Sequence, residues 1–265
     1  MGTKNVIITG GAEGTGLAIT RKFASEGWSV FVTSRSLPHA VAVAGDIAAE
    51  YNVEAGGLYM DLQSERSIAD MYRTLSDQHT VIDAIVLNAV NMGKEKIVDP
   101  LTCSIADWHD VIQSNITGNF MLAREAAKIM CENGGGSIVF ISSNTAKGAI
   151  YNRSNYIASK GGINSLMRAM AVDLGKYSIR VNCLLPGVIF NDRIAAFPKE
   201  RLDLIRRRSP LKGGEWSSVE DVANGTYFLA SSMSGNMTGS EVLMDGGVCS
   251  LLGADSTKYA KNDGQ

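Results

Sequence analysis

The chain has 265 residues, 45% hydrophobic and 20% charged, values ordinary for a globular protein and unlike those of a disordered one. A formal net charge of −2 excludes a general attraction to nucleic acid or to anionic membrane, and no run reaches the ~18 apolar residues of a membrane helix. The amino-terminal "KNVIITGG" runs straight into a strand and a glycine turn, without a signal-peptide pattern, so a cytoplasmic location is expected.

In chain order, the first β-branched run is "NVIIT" from Asn5, and "TGGAEGTG" follows it at once. Gly10, Gly14 and Gly16 stand where this strand hands over to a helix predicted over 14–26. Bare backbone there admits a pyrophosphate, and the open N–H groups and positive end of the helix attract its charge, so the turn points to a dinucleotide site. The second strand, "SVFVT" from Ser29, ends on Ser34 and Arg35. An acid at that point suits a ribose 2′-hydroxyl and an arginine suits a 2′-phosphate, so the pair favours NADP(H), with NAD(H) as the alternative.

Beyond it the chain keeps alternating. A helix is predicted over 37–51, the strand "GGLYM" ends at Met60, a helix spans 64–78, and "IDAIVL" starts at Ile82. One long helix is predicted over 104–130, then "SIVFIS" from Ser137, a helix over 155–177, "IRVNCLL" from Ile179, a helix over 218–230 and "SEVLM" from Ser240. Ser217 followed by Glu220 fits a capping box for the last helix. Near-continuous apolar strands joined by helices imply a Rossmann-like, doubly wound parallel β-sheet with helices on both faces, one α/β domain over 1–265. The tail 253–265 is polar and lacks periodicity. Cys103, Cys131, Cys183 and Cys249, like His39, His79 and His109, are too scattered for a metal site, a disulfide framework or a triad, so no metal is expected.

In "YNRSNYIASKGG" from Tyr151, Tyr156 and Lys160 stand four apart at the start of a predicted helix. Positions i and i+4 share a face, so a phenol and an ammonium point the same way. A free phenol has a pKa near 10, too high for an efficient base at neutrality, and a cation one turn away favours phenolate.

Taken in order, the turn at Thr9, Asp61 in "MDL", Asn88 in "LNAV", Asn115 in "SNITGNF", Ser143 in "ISS", Tyr156 with Lys160, Pro186 and Gly187 in "LLPGVI", and "DGG" near the end resemble the single-domain short-chain dehydrogenase/reductase family over about Lys4 to Gly247. The resemblance implies an oxidoreductase acting on a ketone or secondary alcohol. Tyr156 would be the general acid in reduction and the general base in oxidation. Lys160 would lower its pKa and hydrogen-bond the nicotinamide ribose, Ser143 would hold the substrate oxygen, and Asn115 would support a water path to Lys160. Ser142 reads as structural. The cofactor contacts implied are Gly10, Glu13, Gly14, Thr15, Gly16, Ser34, Arg35, Asp61, Leu62, Asn88, Ala89, Tyr156, Lys160, Pro186, Gly187 and Ile189, with Asp61 accepting from the adenine amino group unless it caps a helix. The segment 188–209 would be a substrate lid, and the long helices would assemble a homotetramer.

The sequence departs from the family pattern in places. The usual N-N-A-G after the fourth strand is Leu87, Asn88, Ala89, Val90, which adds bulk near the cofactor path. Asn191 replaces a frequent threonine and can still bond a carboxamide. Glu13 would oppose a 2′-phosphate. Arg193, Lys199, Arg201, Arg206, Arg207 and Arg208 read as a solvated helix face, with an anionic substrate as the alternative, and Phe197, Leu202 and Ile205 as its apolar side. Two further readings stay open. One is a 3-oxoacyl thioester reductase, whose relatives dock an acyl carrier through arginines at positions that are Gly134 and Tyr177 here. The other is a dinucleotide-sensing regulator without catalysis. An enoyl reductase is disfavoured because Arg153 stands where that branch has its tyrosine.

Overall fold

The computed structural model describes residues 3–78, 80–94, 98–190, 192–211 and 216–251. Asn191, the side chains of Arg193 and Arg201, His79 and the tail 253–265 lie outside the described residues.

Seven strands form one parallel sheet in the order β3-β2-β1-β4-β5-β6-β7: β1 (Asn5–Ile8), β2 (Ser29–Ser34), β3 (Ala55–Tyr59), β4 (Ala84–Leu87), β5 (Gly136–Ile141), β6 (Ile179–Pro186) and β7 (Glu241–Met244). The strand order reverses between β1 and β4. In open sheets of this kind the crevice at the carboxyl ends beside that reversal is where ligands bind.

Alternation along each strand divides the core. Ile7, Phe31, Ile85 and Phe140 face one way, against α3 (Glu65–Asp77), α5 (Asn119–Glu132) and α6 (Ser154–Leu174) through Leu75, Leu122 and Met167. Val6, Ile8, Val30 and Val86 face the other, against α1 (Gly14–Ser25), α2 (Leu37–Tyr51) and α9 (Val219–Ala230) through Ile19, Ile47 and Val222. Phe23, Trp28 and Tyr227 meet edge-on there, with centroids 5.2 to 6.3 Å apart.

Several bounds shift from those expected: the helix over 155–177 is α6 followed by a 3-10 turn at Gly175–Tyr177, the strand ending at Met60 stops at Tyr59, and two further differences have a side-chain cause. The predicted helix over 104–130 is α4 (Ile105–Ile112) and α5 joined without a break by a π-helical turn at Gln113–Gly118. Asn119 Nδ2 donates to the Asn115 carbonyl at 2.8 Å, replacing part of the ordinary helical pairing. Gly118 lies against the Leu62 carbonyl, which a Cβ would approach to 2.4 Å. The capping box of α9 is Ser218 with Asp221, one residue beyond the expected pair, because Ser217 Oγ instead donates to the Met244 carbonyl at 3.2 Å. In the segment 188–209, α7 (Asp192–Ala195) and α8 (Lys199–Arg206) are short; Arg206, Arg207 and Arg208 are exposed, and Phe197, Leu202 and Ile205 are half-buried. Among the described residues no helix is long and apolar enough to cross a membrane, and no cluster of metal-ligating side chains occurs.

Candidate functional site

The residues singled out in the sequence converge on the carboxyl ends of the strands. The turn after β1 begins at Gly10, with φ +63°, and reaches Gly14, with φ +52°, both left-handed conformations that favour glycine. Gly16 has a different constraint. A Cβ there would lie 1.9 Å from the Gly10 carbonyl oxygen, so only glycine closes the turn. Helices α2, α3, α4 and α9 each begin on a serine whose hydroxyl accepts a first-turn N–H. Helix α1 begins on exposed Glu13, whose side chain makes no such cap, leaving the first-turn N–H groups of α1, around Gly14, Thr15 and Gly16, directed at the turn. That cradle fits a pyrophosphate.

Thr9 and Asn88 stitch the turn to β4. Thr9 Oγ1 accepts from the Asn88 and Ala89 amides at 2.9 and 3.0 Å, and Asn88 Nδ2 donates to the Thr9 carbonyl at 3.0 Å. Leu87 is buried in the sheet, whereas Val90 is 41% exposed. At the end of β2, Ser34 Oγ accepts from the Ser36 amide at 3.1 Å and Arg35 is exposed. Asp61 is half-buried and accepts from the Gln63 amide at 3.0 Å. It does not cap α3, because Ser64 does, and Leu62 beside it is buried.

Beyond β5, Ser143 is buried, and its hydroxyl accepts from the Thr145 amide at 3.1 Å and from the Thr145 hydroxyl at 2.9 Å. Its own proton is thereby left to donate. Ser142 points away, donating to Asn164 Oδ1 at 2.6 Å. Asn164 in turn donates to Glu241 at 2.9 Å, and Lys147 pairs with Glu241 at 2.6 Å, so Ser142 belongs to a network that pins β5 to β7.

Lys160 is 3% exposed, and its Nζ donates to the Ile141 carbonyl at 2.7 Å and stands 5.6 Å from the centre of the Tyr156 ring. Burial lowers its pKa to about 8. At neutral pH this is a charged ammonium in a low-dielectric site beside the Tyr156 ring. Asn115 is fully buried in the π turn. Its carboxamide accepts from the Asn91 amide at 2.8 Å and donates to the Asn91 carbonyl at 2.9 Å and to Ser159 Oγ at 3.0 Å. Its bonds thus run to Asn91 and to Ser159, next in the chain to Lys160.

At the end of β6, Pro186 is buried, and just past it the Gly187 amide donates to the Met244 carbonyl at 2.9 Å, while Ile189 bridges Ser217. Sequence reasoning gave no role to Thr145, Asp107 or Asn155, and named Asp245 only within "DGG". Burial alone would raise the Asp245 carboxyl, but hydrogen bonds from Cys249, Asn144 and Gly247 outweigh it and hold the group below the usual range. The same carboxylate ties the 245–249 turn to Asn144, beside Ser143, at 3.4 Å.

The comparisons with known proteins agree with this architecture. A family model described as Enoyl-(Acyl carrier protein) reductase matches residues 10–249. The chain is 33% identical over 242 residues to 3-oxoacyl-[acyl-carrier-protein] reductase FabG of Aquifex aeolicus (strain VF5), covering 91% of this chain and 96% of that one. It is 31% identical over 245 residues to a 3alpha-hydroxysteroid dehydrogenase of Mediterraneibacter gnavus, covering 92% and 96%. A crystal structure of a gluconate 5-dehydrogenase from Burkholderia cenocepacia J2315 in complex with NADP and tartrate superposes with a TM-score of 0.88 at 25% identity, covering 95% of this chain and 97% of that one. The strand order, the glycine turn and these likenesses along nearly the whole chain establish that the protein belongs to the short-chain dehydrogenase/reductase family of oxidoreductases.

Proposed function

We propose that the chain transfers a hydride between NADP(H) and a ketone or secondary alcohol, with Tyr156 as the group that gives or takes the proton. The observation that carries this is the buried Lys160 ammonium beside the Tyr156 ring, at the end of the strand that also presents Ser143. The nicotinamide cofactor, when bound, supplies or accepts the hydride. Gly10, Gly14, Thr15 and Gly16 hold its pyrophosphate, Ser34 and Arg35 its 2′-phosphate, Asp61 and Leu62 its adenine, and Asn88, Ala89, Pro186, Gly187 and Ile189 its nicotinamide half. Ser143 donates to the substrate oxygen. Tyr156 protonates that oxygen in reduction and removes its proton in oxidation, and the Lys160 charge keeps the phenol poised for both. A panel of ketones and secondary alcohols, assayed by nicotinamide absorbance with both cofactors, tests the reading. The hydroxy acids evoked by the gluconate dehydrogenase belong on it, as do the steroids evoked by the hydroxysteroid dehydrogenase.

Cofactor choice is set by opposing charges. Arg35 offers a charge-assisted hydrogen bond to a 2′-phosphate, worth about 1.5 to 3 kcal/mol, and Ser34 adds none of the repulsion an aspartate would. Glu13 opposes it, but is exposed and screened within about 8 to 10 Å. We expect NADP(H) to be favoured by roughly 10- to 100-fold, Arg35→Ala to erase most of that margin and Ser34→Asp to reverse it. Equal catalytic efficiency with NAD(H) in the unmodified chain would contradict this.

Assembly is proposed as a homotetramer, through the faces of α5 and α6 where Phe120 and Val172 are exposed, with Tyr177 exposed in the turn just past α6. Light scattering at micromolar concentration should give four times the monomer mass, and a monomer would refute it. A second reading, a 3-oxoacyl thioester reductase, is favoured by the likeness to FabG. It stands second because Gly134 and Tyr177 occupy the expected places of the docking arginines. A non-catalytic dinucleotide sensor would keep cofactor binding and turn over no member of the panel.

A further inference from the structure

We propose that Asp107 is a positioning residue for Tyr156, acting through Asn155; this rests on the reading of Tyr156 as the proton donor and acceptor. Asp107 is the third residue of α4, and Ser104 Oγ accepts its amide at 3.0 Å. An acid at this position ordinarily turns back to bond the cap residue's own amide. Here the side chain turns inward instead. Asp107 is 5% exposed, with Oδ1 accepting from the Lys94 amide at 2.7 Å and Oδ2 accepting from Asn155 Nδ2 at 2.7 Å. Asn155 is fully buried, and its Oδ1 accepts from the Tyr156 amide at 2.7 Å.

That last bond fills a specific need. Tyr156 is the third residue of α6, so its amide is one of the helix's first four, which have no partner within the helix. The cap residue, Arg153, contributes no side-chain acceptor. Asn155 therefore does what a cap would do, and Asp107 fixes which way its carboxamide is turned, oxygen toward Tyr156 and nitrogen toward the carboxylate. The other end of the residue is held symmetrically. Ser159 Oγ donates to the Tyr156 carbonyl at 2.7 Å and accepts from Asn115 Nδ2 at 3.0 Å.

Asp107 and Asn115 are thus two anchors on one continuous helix, and each also holds the chain after β4, at the Lys94 amide and at both backbone groups of Asn91. The segment beside the proposed nicotinamide contacts and the backbone of the catalytic tyrosine share the same brackets. Displacing a reacting group by about 1 Å can cost 100-fold in rate, so loosening this bracket should lower turnover without touching the cofactor cradle.

A donor–acceptor swap tests it. Asp107→Asn leaves one oxygen for two donors, the Lys94 amide and Asn155 Nδ2, so one of them meets an NH2 group, and Asn155→Asp sets two carboxylates together. The Asp107→Asn/Asn155→Asp pair reverses donor and acceptor, restores the bond, and leaves a carboxylate oxygen at 155 to accept the Tyr156 amide. Each single variant should lose roughly 10- to 100-fold in kcat with the NADPH dissociation constant unchanged within about twofold, and the pair should recover most of the kcat. Amide hydrogen exchange over 154–160, read on the same samples, should speed up in each single variant and return in the pair. Wild-type kcat in both single variants, or a pair no better than either, overturns the proposal. If the unmodified protein turns over nothing on the panel, the functional reading fails, while the exchange data still decide on the bracket: unaltered protection in the single variants overturns it. If the single variants do not fold, Asn155→Ala replaces them, and wild-type kcat and exchange in that variant overturn the proposal.

Discussion

Tyr156→Phe is expected to bind NADPH about as well as the unmodified chain and to lose most of its turnover. The substitution removes one hydroxyl from a half-buried ring and leaves the Lys160 ammonium, the glycine cradle and the Ser143 turn in place. What it deletes is the transferable proton, and general acid–base catalysis contributes about 10² to 10⁴ in rate. Steady-state kinetics with fluorescence titration of NADPH separate the two effects. A Phe variant retaining more than half of wild-type kcat would show that another group moves the proton.

Lys160→Met is expected to reduce turnover by a comparable factor of about 10² to 10⁴ and, unlike Tyr156→Phe, to weaken NADPH binding, because in the proposed mechanism the ammonium serves both the phenol and the ribose. Its effect on stability runs the other way. Burial depresses the Lys160 pKa from 10.5 to about 8 in the folded chain. Between those values the unfolded chain holds a proton that the folded one has released, so wild-type stability rises with pH across that window, by about 3 kcal/mol in all. At pH 7 the folded chain carries that whole cost, which Met lacks. Against it stands the loss of the bond to the Ile141 carbonyl, about 1 to 3 kcal/mol. The cofactor-free variant should therefore be as stable as wild type or more so at pH 7, with its advantage shrinking toward pH 10. Urea unfolding at the two pH values measures this, and a variant several kcal/mol less stable at pH 7 would contradict it.

The fold was legible because β-branched runs such as "NVIIT" and "SVFVT" are buried on both sides and joined by segments of helical period, so pattern and tertiary structure agree. The π turn was not. Residues 104–130 read as one periodic helix, and the extra residue is accommodated by contacts distant in sequence: Asn115 reaching Asn91 and Ser159, and Gly118 against Leu62. The capping box was misplaced by one because two serines and two acids stand side by side at 217–218 and 220–221, and only the Met244 carbonyl distinguishes Ser217 from Ser218. Candidate site residues that sit on a local motif, such as the glycine turn or the Tyr156–Lys160 pair, could be read directly. Those proposed to act by reaching across the fold could not, since Asp107 and Asn155 are 48 residues apart and neither is unusual where it stands.

The most direct test of hydride transfer with Tyr156 as proton donor is isotopic. NADPH deuterated at the transferring carbon would be incubated with the ketone panel and the unmodified protein, and the products examined by mass spectrometry, with Tyr156→Phe in parallel. The expected result is one deuterium on the carbinol carbon of at least one product, reduced about 10² to 10⁴-fold in rate in the Phe variant. Tight NADPH binding with no deuterium delivered to any ketone, or equal delivery by the Phe variant, would contradict it.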